Sequence, residues 1–351
     1  MTPMSLIPDT PTDTWPGIYA RLLSRGHLSR QDCAWAMGTI MDGEATAAQI
    51  AGFLMALHAK GETVEEMRGL ADEMLAHAIR IDAPEASLDV VGTGGDRAHT
   101  VNISTMAAIV CAAAGVSIVK HGNRAASSKA GSADVLESLG IDLTLSPERV
   151  EAVARDVGIT FCFAQQFHPS MRHAAGVRRE LGVATAFNFL GPLTNPGQPK
   201  YGAVGVADAR MAPIIAGVFA GRGQDAAVFR GDDGLDELTL STTSTVWWVR
   251  SGEVIEHTLY PDRVGLAAAP TEALRGGDAA FNARVLREVF EGARGPVRDA
   301  VVLNAGAALA VAADSDSGRT HAALHADVRA GMDRAEAAID SGAANSVVDR
   351  W

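Results

Sequence analysis

The segment Lys120-His-Gly-Asn-Arg-Ala-Ala-Ser-Ser128 gathers two cations, a glycine and several hydroxyl and amide side chains in one short loop. The apolar run Val116-Ser-Ile-Val119 leads into it and reads as a buried strand that Lys120 closes. A strand ending in such a loop places donors around an anion at the carboxyl edge of a parallel sheet. Upstream stands a second loop, Gly92-Thr-Gly-Gly-Asp96, after the run Leu88-Asp-Val-Val91. Its glycines let backbone N–H groups approach an anion without a Cβ in the way. Alone it is equally a tight turn, being neither a dinucleotide fingerprint nor a Walker loop. Asn102-Ile-Ser104-Thr105 stands directly before a helix expected to start near Met106, where free N–H groups and the helix dipole favour anions. A plain N-cap would use only one of these side chains. Two polar loops after two strands point to a ligand with more than one phosphate.

Asp236-Glu237 follows Arg230-Gly-Asp-Asp-Gly-Leu in a loop after another strand. Adjacent carboxylates suit Mg2+, a hard cation that takes oxygen ligands and keeps its waters. Taken alone the pair is an acidic turn in an acidic protein, and it gains weight from the phosphate loops. Arg178, with apolar neighbours, could hold a substrate carboxylate through its guanidinium fork. Arg179 and Glu180 read as a solvated helix face. His168 and His121 are as readily packed histidines as chemical ones.

The elements that must position these residues fall into two kinds. Up to about residue 86 the pattern is helical. Ser29 to Met41 makes one helix, with Trp35, Met37, Ile40 and Met41 as its buried face. Thr46-Ala-Ala-Gln49 and Thr63-Val-Glu-Glu66 are capping boxes, and Gly61 suits a helix end. Short apolar runs then alternate with helical stretches, which implies βα units and a parallel sheet. The runs are 88–91, 116–120, 159–164, 201–206 and 225–230. Ser132 to Leu139 is a helix stopped by Gly140, and Ser146-Pro147 opens the next. Residues 245–259 form a hairpin turning at Ser251-Gly252, with Trp247 and Trp248 on opposite faces. From Asp278 onward the chain is helical and Ala-rich.

Composition narrows the class. With 351 residues, 47% hydrophobic and 21% charged, the chain can bury a sizeable core. The net charge of −12 argues against nucleic acid as the main partner, since phosphate backbones select clustered Lys and Arg. Cys33, Cys111 and Cys162 are distant, odd in number and without metal spacing, so a reducing, cytoplasmic setting is expected. The N-terminus lacks the pattern of a signal peptide, and the longest apolar run, about 106–119, is short for a membrane span.

In Gly92–Asp96, Asn102–Thr105, Lys120–Ser128 with Ser132, Arg178-Arg-Glu-Leu-Gly182, Asn188-Phe-Leu-Gly-Pro-Leu-Thr-Asn-Pro196 and Asp233-Gly-Leu-Asp-Glu237, the chain closely resembles the anthranilate phosphoribosyltransferases. The motifs run in the same order over nearly the whole chain. The resemblance implies an α/β fold of the nucleoside-phosphorylase kind. A small all-α domain (1–84, joined by about 167–190) would precede an α/β domain (85–351) whose central sheet is mostly parallel and flanked by helices. It implies transfer of phosphoribose from phosphoribosyl pyrophosphate to the amine of anthranilate, by a homodimer joined through the helical domain.

In that family Gly92, Gly95, Asp96, Thr100, Asn102, Ile103, Ser104 and Thr105 would contact the donor. Lys120, His121, Gly122, Asn123, Arg124, Ala125, Ala126, Ser127, Ser128 and Ser132 would complete its site. Ser104, Asp236 and Glu237 would hold Mg2+. Gly92, Asn123 and Arg178 would lie at anthranilate, with His168 lining its approach. No dedicated general base is expected, because an aniline nitrogen is uncharged at neutral pH. Gly176 stands where the family commonly has proline and Ala184 where it has arginine, so the helix carrying Arg178 is expected to be looser. A pyrimidine nucleoside phosphorylase of the same fold and a non-catalytic nucleic-acid-binding relative are the rival readings. The longer lysine-histidine-serine-threonine-glycine loop of the first is absent.

Overall fold

The structure, a computed structural model, describes residues 13–125, 129–313 and 320–351. The chain begins with helices α1 (Trp15–Leu23), α2 (Arg30–Met41), α3 (Ala47–Lys60) and α4 (Val64–Ala76). There follow β1 (Leu88–Gly92), α5 (Ile103–Ala113), β2 (Ile118–Gly122), α6 (Ser132–Ser138), α7 (Pro147–Val157), β3 (Ile159–Phe163), α8 (Ala164–Phe167) and α9 (Arg172–Leu181). Then come β4 (Tyr201–Gly205), α10 (Ala212–Arg222), β5 (Asp225–Gly231), β6 (Ser244–Arg250) and β7 (Glu253–Leu259). Helices α11 (Ala279–Phe290), α12 (Pro296–Val311), α13 (His321–Asp340) and α14 (Ala343–Arg350) close the chain. Contacts divide it into two compact units, one of residues up to Ala78 with His168–Thr194, the other of Ile79–Phe167 with Asn195–Trp351.

The helical unit is built from local signals that a sequence states openly. Ser29, Thr46 and Thr63 each cap a helix, and each donates its own backbone N–H to the side chain three positions on. Glu66 exceeds that role. It is fully buried and accepts from Leu28 N–H, Thr63 N–H and the Lys60 ammonium, at 2.8, 2.9 and 2.7 Å. Met37, Ile40 and Met41 are buried as expected, whereas Trp35 is only half-buried, its ring tilted against that of Trp15.

The second unit is a seven-stranded sheet in the order β3-β2-β1-β4-β5-β6-β7. β3 through β5 are parallel, and β6 and β7 add an antiparallel hairpin at one edge. Ser251 and Gly252 take φ of 54° and 80°, the left-handed pair that a two-residue hairpin with matching twist requires. Trp248 is buried within the main core and Trp247 covers the other face. α5 and α12 are buried along nearly their whole length, which is why both read as continuous apolar runs.

Two boundaries differ from the sequence reading. β2 starts at Ile118 because Val116 still belongs to the end of α5. There Gly115, at φ 90°, and Val116 donate to the carbonyls of Ala112 and Cys111 at 3.0 and 3.1 Å, closing a Schellman motif. α5 begins at Ile103, not near Met106, so Ser104 and Thr105 lie inside its first turn.

Candidate active site

Strand β1 runs to β2 and β3 on one side, while β4 returns to lie on the other. The sheet therefore has its switch point between β1 and β4, where open α/β sheets leave a crevice beyond the carboxyl ends. Gly92 and Gly205 are paired across that point. Asp236 sits directly upon both. A Cβ on Gly92 would stand 2.4 Å from Asp236 Oδ2, and one on Gly205 would stand 1.6 Å from the Asp236 carbonyl oxygen. Nothing in the local sequence around Gly205 announces this, although β1, β2, β4 and β5 all end on glycine.

Four loops are tied together here by named bonds. Gly94 N–H donates to Asp236 Oδ2 at 2.7 Å, joining the glycine loop to the acid loop. Ser104 N–H, in the first turn of α5, donates to Glu237 Oε1 at 3.1 Å. Lys120 Nζ reaches Ser104 Oγ at 3.5 Å and also donates to the Val90 carbonyl. Thr105 Oγ1 donates to Ser132 Oγ at 3.0 Å, and Asn102 Nδ2 to the Ala130 carbonyl at 3.2 Å, which links α5 to the start of α6. Asn102 is the N-cap residue but makes no side-chain cap. Among the residues singled out from sequence, Gly92, Asp96, Asn102, Ser104, Thr105, Lys120, Ser132, Asp236 and Glu237 are thus gathered in one place. Gly95 lies in the same loop with φ of 91°, and Thr100 at its exit bridges to Arg275. Ile103 is core rather than surface.

Lys120 lies within β2, is 1% exposed, and rests under the acid pair. Burial lowers its pKa, and Asp89, Glu237 and Asp236 oppose that. His121 is likewise buried, its N–H given to Asp89 Oδ1 at 3.2 Å. Asp89 and Asn195 form a support that sequence reasoning did not single out for its function. Asn195 Nδ2 donates to Asp89 Oδ2 at 2.8 Å and to the Val119 carbonyl at 2.7 Å, holding β1 and β2 in step beneath the loops. Gly122 ends β2, and Asn123 Oδ1 receives the Arg124 N–H at 2.8 Å. The Arg124 guanidinium pairs with Glu137 and Asp134 of α6, at 2.5 and 3.1 Å, so its charge is already met within the protein. Ala125 donates its N–H to the same Asp134. Ala126, Ser127 and Ser128 lie outside the described residues.

Residues 85–345 match the glycosyl transferase family, a/b domain, and residues 16–78 its helical bundle domain. An anthranilate phosphoribosyltransferase of Nocardioides sp. is 60% identical over 338 residues, 96% of this chain and 98% of that protein. The chain belongs to the anthranilate phosphoribosyltransferase family. The Thermus thermophilus family member superposes with a TM-score of 0.87 at 39% identity, covering 95% of this chain and 97% of that one. The Saccharomyces cerevisiae member, solved in complex with PRPP and Mg, gives 0.85 at 28% identity over 96% of both chains. It has also been solved with 4-fluoroanthranilate.

The family's use of Mg2+ fits the acids found here. Asp236 is pushed up to about 7 by burial and by the Asp96 charge, and Glu237 is raised well above its usual range by burial and by Asp236. Anionic carboxylates crowded in this way lack sufficient positive charge from the protein, and a bound dication would supply it. Among the described residues no three His, Cys, Asp or Glu side chains are grouped to hold a metal. Mg2+ takes one or two protein carboxylates and completes its shell with water and substrate phosphates.

The expected acceptor residues Arg178 and His168 lie in the helical unit. Arg178, on α9, holds its guanidinium 5.2 Å over the Phe187 ring, and burial lowers its pKa. No carboxylate among the described residues pairs with it. His168 is 3% exposed with Nε2 bonded to the Thr194 carbonyl at 2.9 Å, a structural placement. Gly176 on α9 has open space where a side chain would stand, and Ala184 is exposed.

Proposed function

We propose that the chain transfers the phosphoribosyl group of 5-phosphoribosyl 1-pyrophosphate to the amine of anthranilate, releasing pyrophosphate, as a step in tryptophan synthesis. The observation that carries this is the joining of the glycine loop, the α5 start and the acid pair at the switch point of the sheet. In the site we assign, Gly92–Asp96, Thr100 and Asn102–Thr105 receive the donor with Lys120–Ser128 and Ser132. Asp236, Glu237 and the Ser104 hydroxyl hold Mg2+. When bound, Mg2+ supplies positive charge to the departing pyrophosphate. The N–H groups of the glycine loop beyond Gly94, which is already bonded to Asp236, act in the same sense. Arg178 holds the anthranilate carboxylate, with Gly92 and Asn123 beside the ring.

As the ribose C1–O bond breaks, the aniline nitrogen forms the C1–N bond and releases one proton to solvent or pyrophosphate. The nitrogen is uncharged beforehand, so the mechanism includes no side chain as general base. Catalysis is orientation and charge stabilisation. We further propose a cytoplasmic homodimer joined through the helical unit, supported by the exposure of Leu23 on α1 and Met55 on α3. Among the described residues no helix is long and apolar enough to cross a membrane.

The test is the loss of anthranilate fluorescence on adding donor and Mg2+. Arg178→Ala should raise the anthranilate KM about 10- to 100-fold, the value of a charge-assisted bond, with the donor KM little changed. Cleavage of thymidine by phosphate without turnover of anthranilate would establish the phosphorylase reading instead.

A further inference from the structure

Asn282, on α11, is 3% exposed and meets the proposed donor site at Asn102. Its Oδ1 accepts the Gly277 N–H at 2.8 Å. Gly277 ends a stretch that runs beside the exit of the glycine loop, where Val101 N–H donates to Leu274 and Gly276 N–H to His99, at 2.9 and 2.8 Å. Asn282 Nδ2 donates to Asn102 Oδ1 at 2.8 Å, and Asn102 Nδ2 donates onward to the Ala130 carbonyl at 3.2 Å. One buried amide therefore fixes the glycine-loop exit, the N-terminus of α5 and, through Asn102, the residue just before the Gly131–Ser132 start of α6.

The chain of bonds has a direction. Gly277 N–H demands an oxygen, which turns the Asn282 NH2 toward Asn102, which in turn must present its oxygen there and its NH2 to Ala130. We propose that Asn282 is a positioning residue for the phosphoribosyl donor, setting the orientation of the Asn102 amide and the spacing between the α5 and α6 starts. This rests on the donor site assigned above. A buried asparagine that merely fills space would make no distinction between donor and acceptor at that atom. The polarity of the relay does.

Asn282→Asp keeps the shape and the Gly277 bond but sets an oxygen against Asn102 Oδ1. Rotating Asn102 only moves the mismatch to the Ala130 carbonyl, so no rotamer repairs it while the carboxyl is ionised. The protonated carboxyl regains a donor. Burial against an acceptor raises the pKa of such a carboxyl, so the repair falls within the working range of pH.

The experiment measures Asn282→Asp, Asn282→Ala and Asn102→Ala against the wild-type chain, by steady-state kinetics and by calorimetric titration with phosphoribosyl pyrophosphate and Mg2+. For Asn282→Asp the donor KM and Kd should rise about tenfold, with the anthranilate KM within about twofold of the wild-type value. The excess over wild type should shrink as pH falls from about 8 to about 6. Asn282→Ala, which introduces no repulsion, should weaken donor binding similarly at every pH. It also serves if the acidic variant does not fold. If Asn102→Ala leaves donor binding unaltered, the donor-site assignment fails. If Asn102→Ala weakens binding while the folded Asn282 variants bind normally, or if the acidic variant shows no recovery at low pH, the positioning role alone is overturned.

Discussion

At the scale of single residues, the site depends on what two glycines leave room for. The Asp236 backbone lies so close to Gly205 that even a methyl group cannot be added without moving it. Gly205→Ala should therefore leave the sheet's core intact yet displace the Asp236–Glu237 turn. Turnover should drop about 100-fold, the scale of a misplacement near 1 Å, and the Mg2+ concentration for half-activity should rise. A variant with normal Mg2+ dependence would show that the acid turn is not seated as described. Asp89 bears on stability. Burial pushes its carboxyl up to about 6 despite Lys120 and the bond from Asn195. A raised carboxyl binds its proton more tightly folded than unfolded, so its contribution is largest at low pH and is lost as pH rises from about 4 through about 6, by about 3 kcal/mol. In urea unfolding, the stability of wild type minus that of Asp89→Asn should fall across that window, because the amide does not titrate. A constant gap would contradict the burial of an ionisable group there.

At the scale of elements, α9 presents Arg178 from a helix containing Gly176, a residue that carries extra backbone freedom in the unfolded chain. Space around it is open, so Gly176→Ala should stabilise the protein by about 0.5–1 kcal/mol in denaturant titration. A loss of stability would mean that the helix needs the glycine. The elements were largely legible. Each of the five parallel strands coincides with an apolar run, Thr46 and Thr63 cap their helices as their capping boxes predict, and the hairpin turns at Ser251-Gly252. These signals are short-range, and short-range patterns survive in sequence. The start of α5 did not, because Asn102 gives its side chain to Ala130 and Asn282 instead of capping its own helix. Gly205, Asn195 and Asn282 were illegible as parts of the site for the same reason. Their partners are Asp236, Asp89 and Asn102, each distant in the chain, and no spacing rule connects them.

At the scale of the molecule, the separated segments proposed to hold the donor meet because the sheet reverses its order between β1 and β4. Such a site has a thermodynamic signature. Donor with Mg2+ binds the folded chain alone, so at about 100 times its Kd it should add about 2.7 kcal/mol to the stability of the unit that holds it. Replacing both acids, Asp236→Ala with Glu237→Ala, removes two buried carboxylates that repel each other together with the acceptors of the Gly94 and Ser104 N–H groups, so the variant is compared with its own ligand-free melting temperature. It should then gain nothing from donor and Mg2+ together, and turn over no anthranilate at ordinary Mg2+. Hydrogen exchange locates the effect. In the wild-type chain the amides of Gly94 and Ser104, which already face the acid pair, should slow on adding both ligands. The double variant should show no such change. Equal protection and equal gain in melting temperature in the two proteins would mean that the donor is held without these carboxylates, and the assignment of the metal to them would fall.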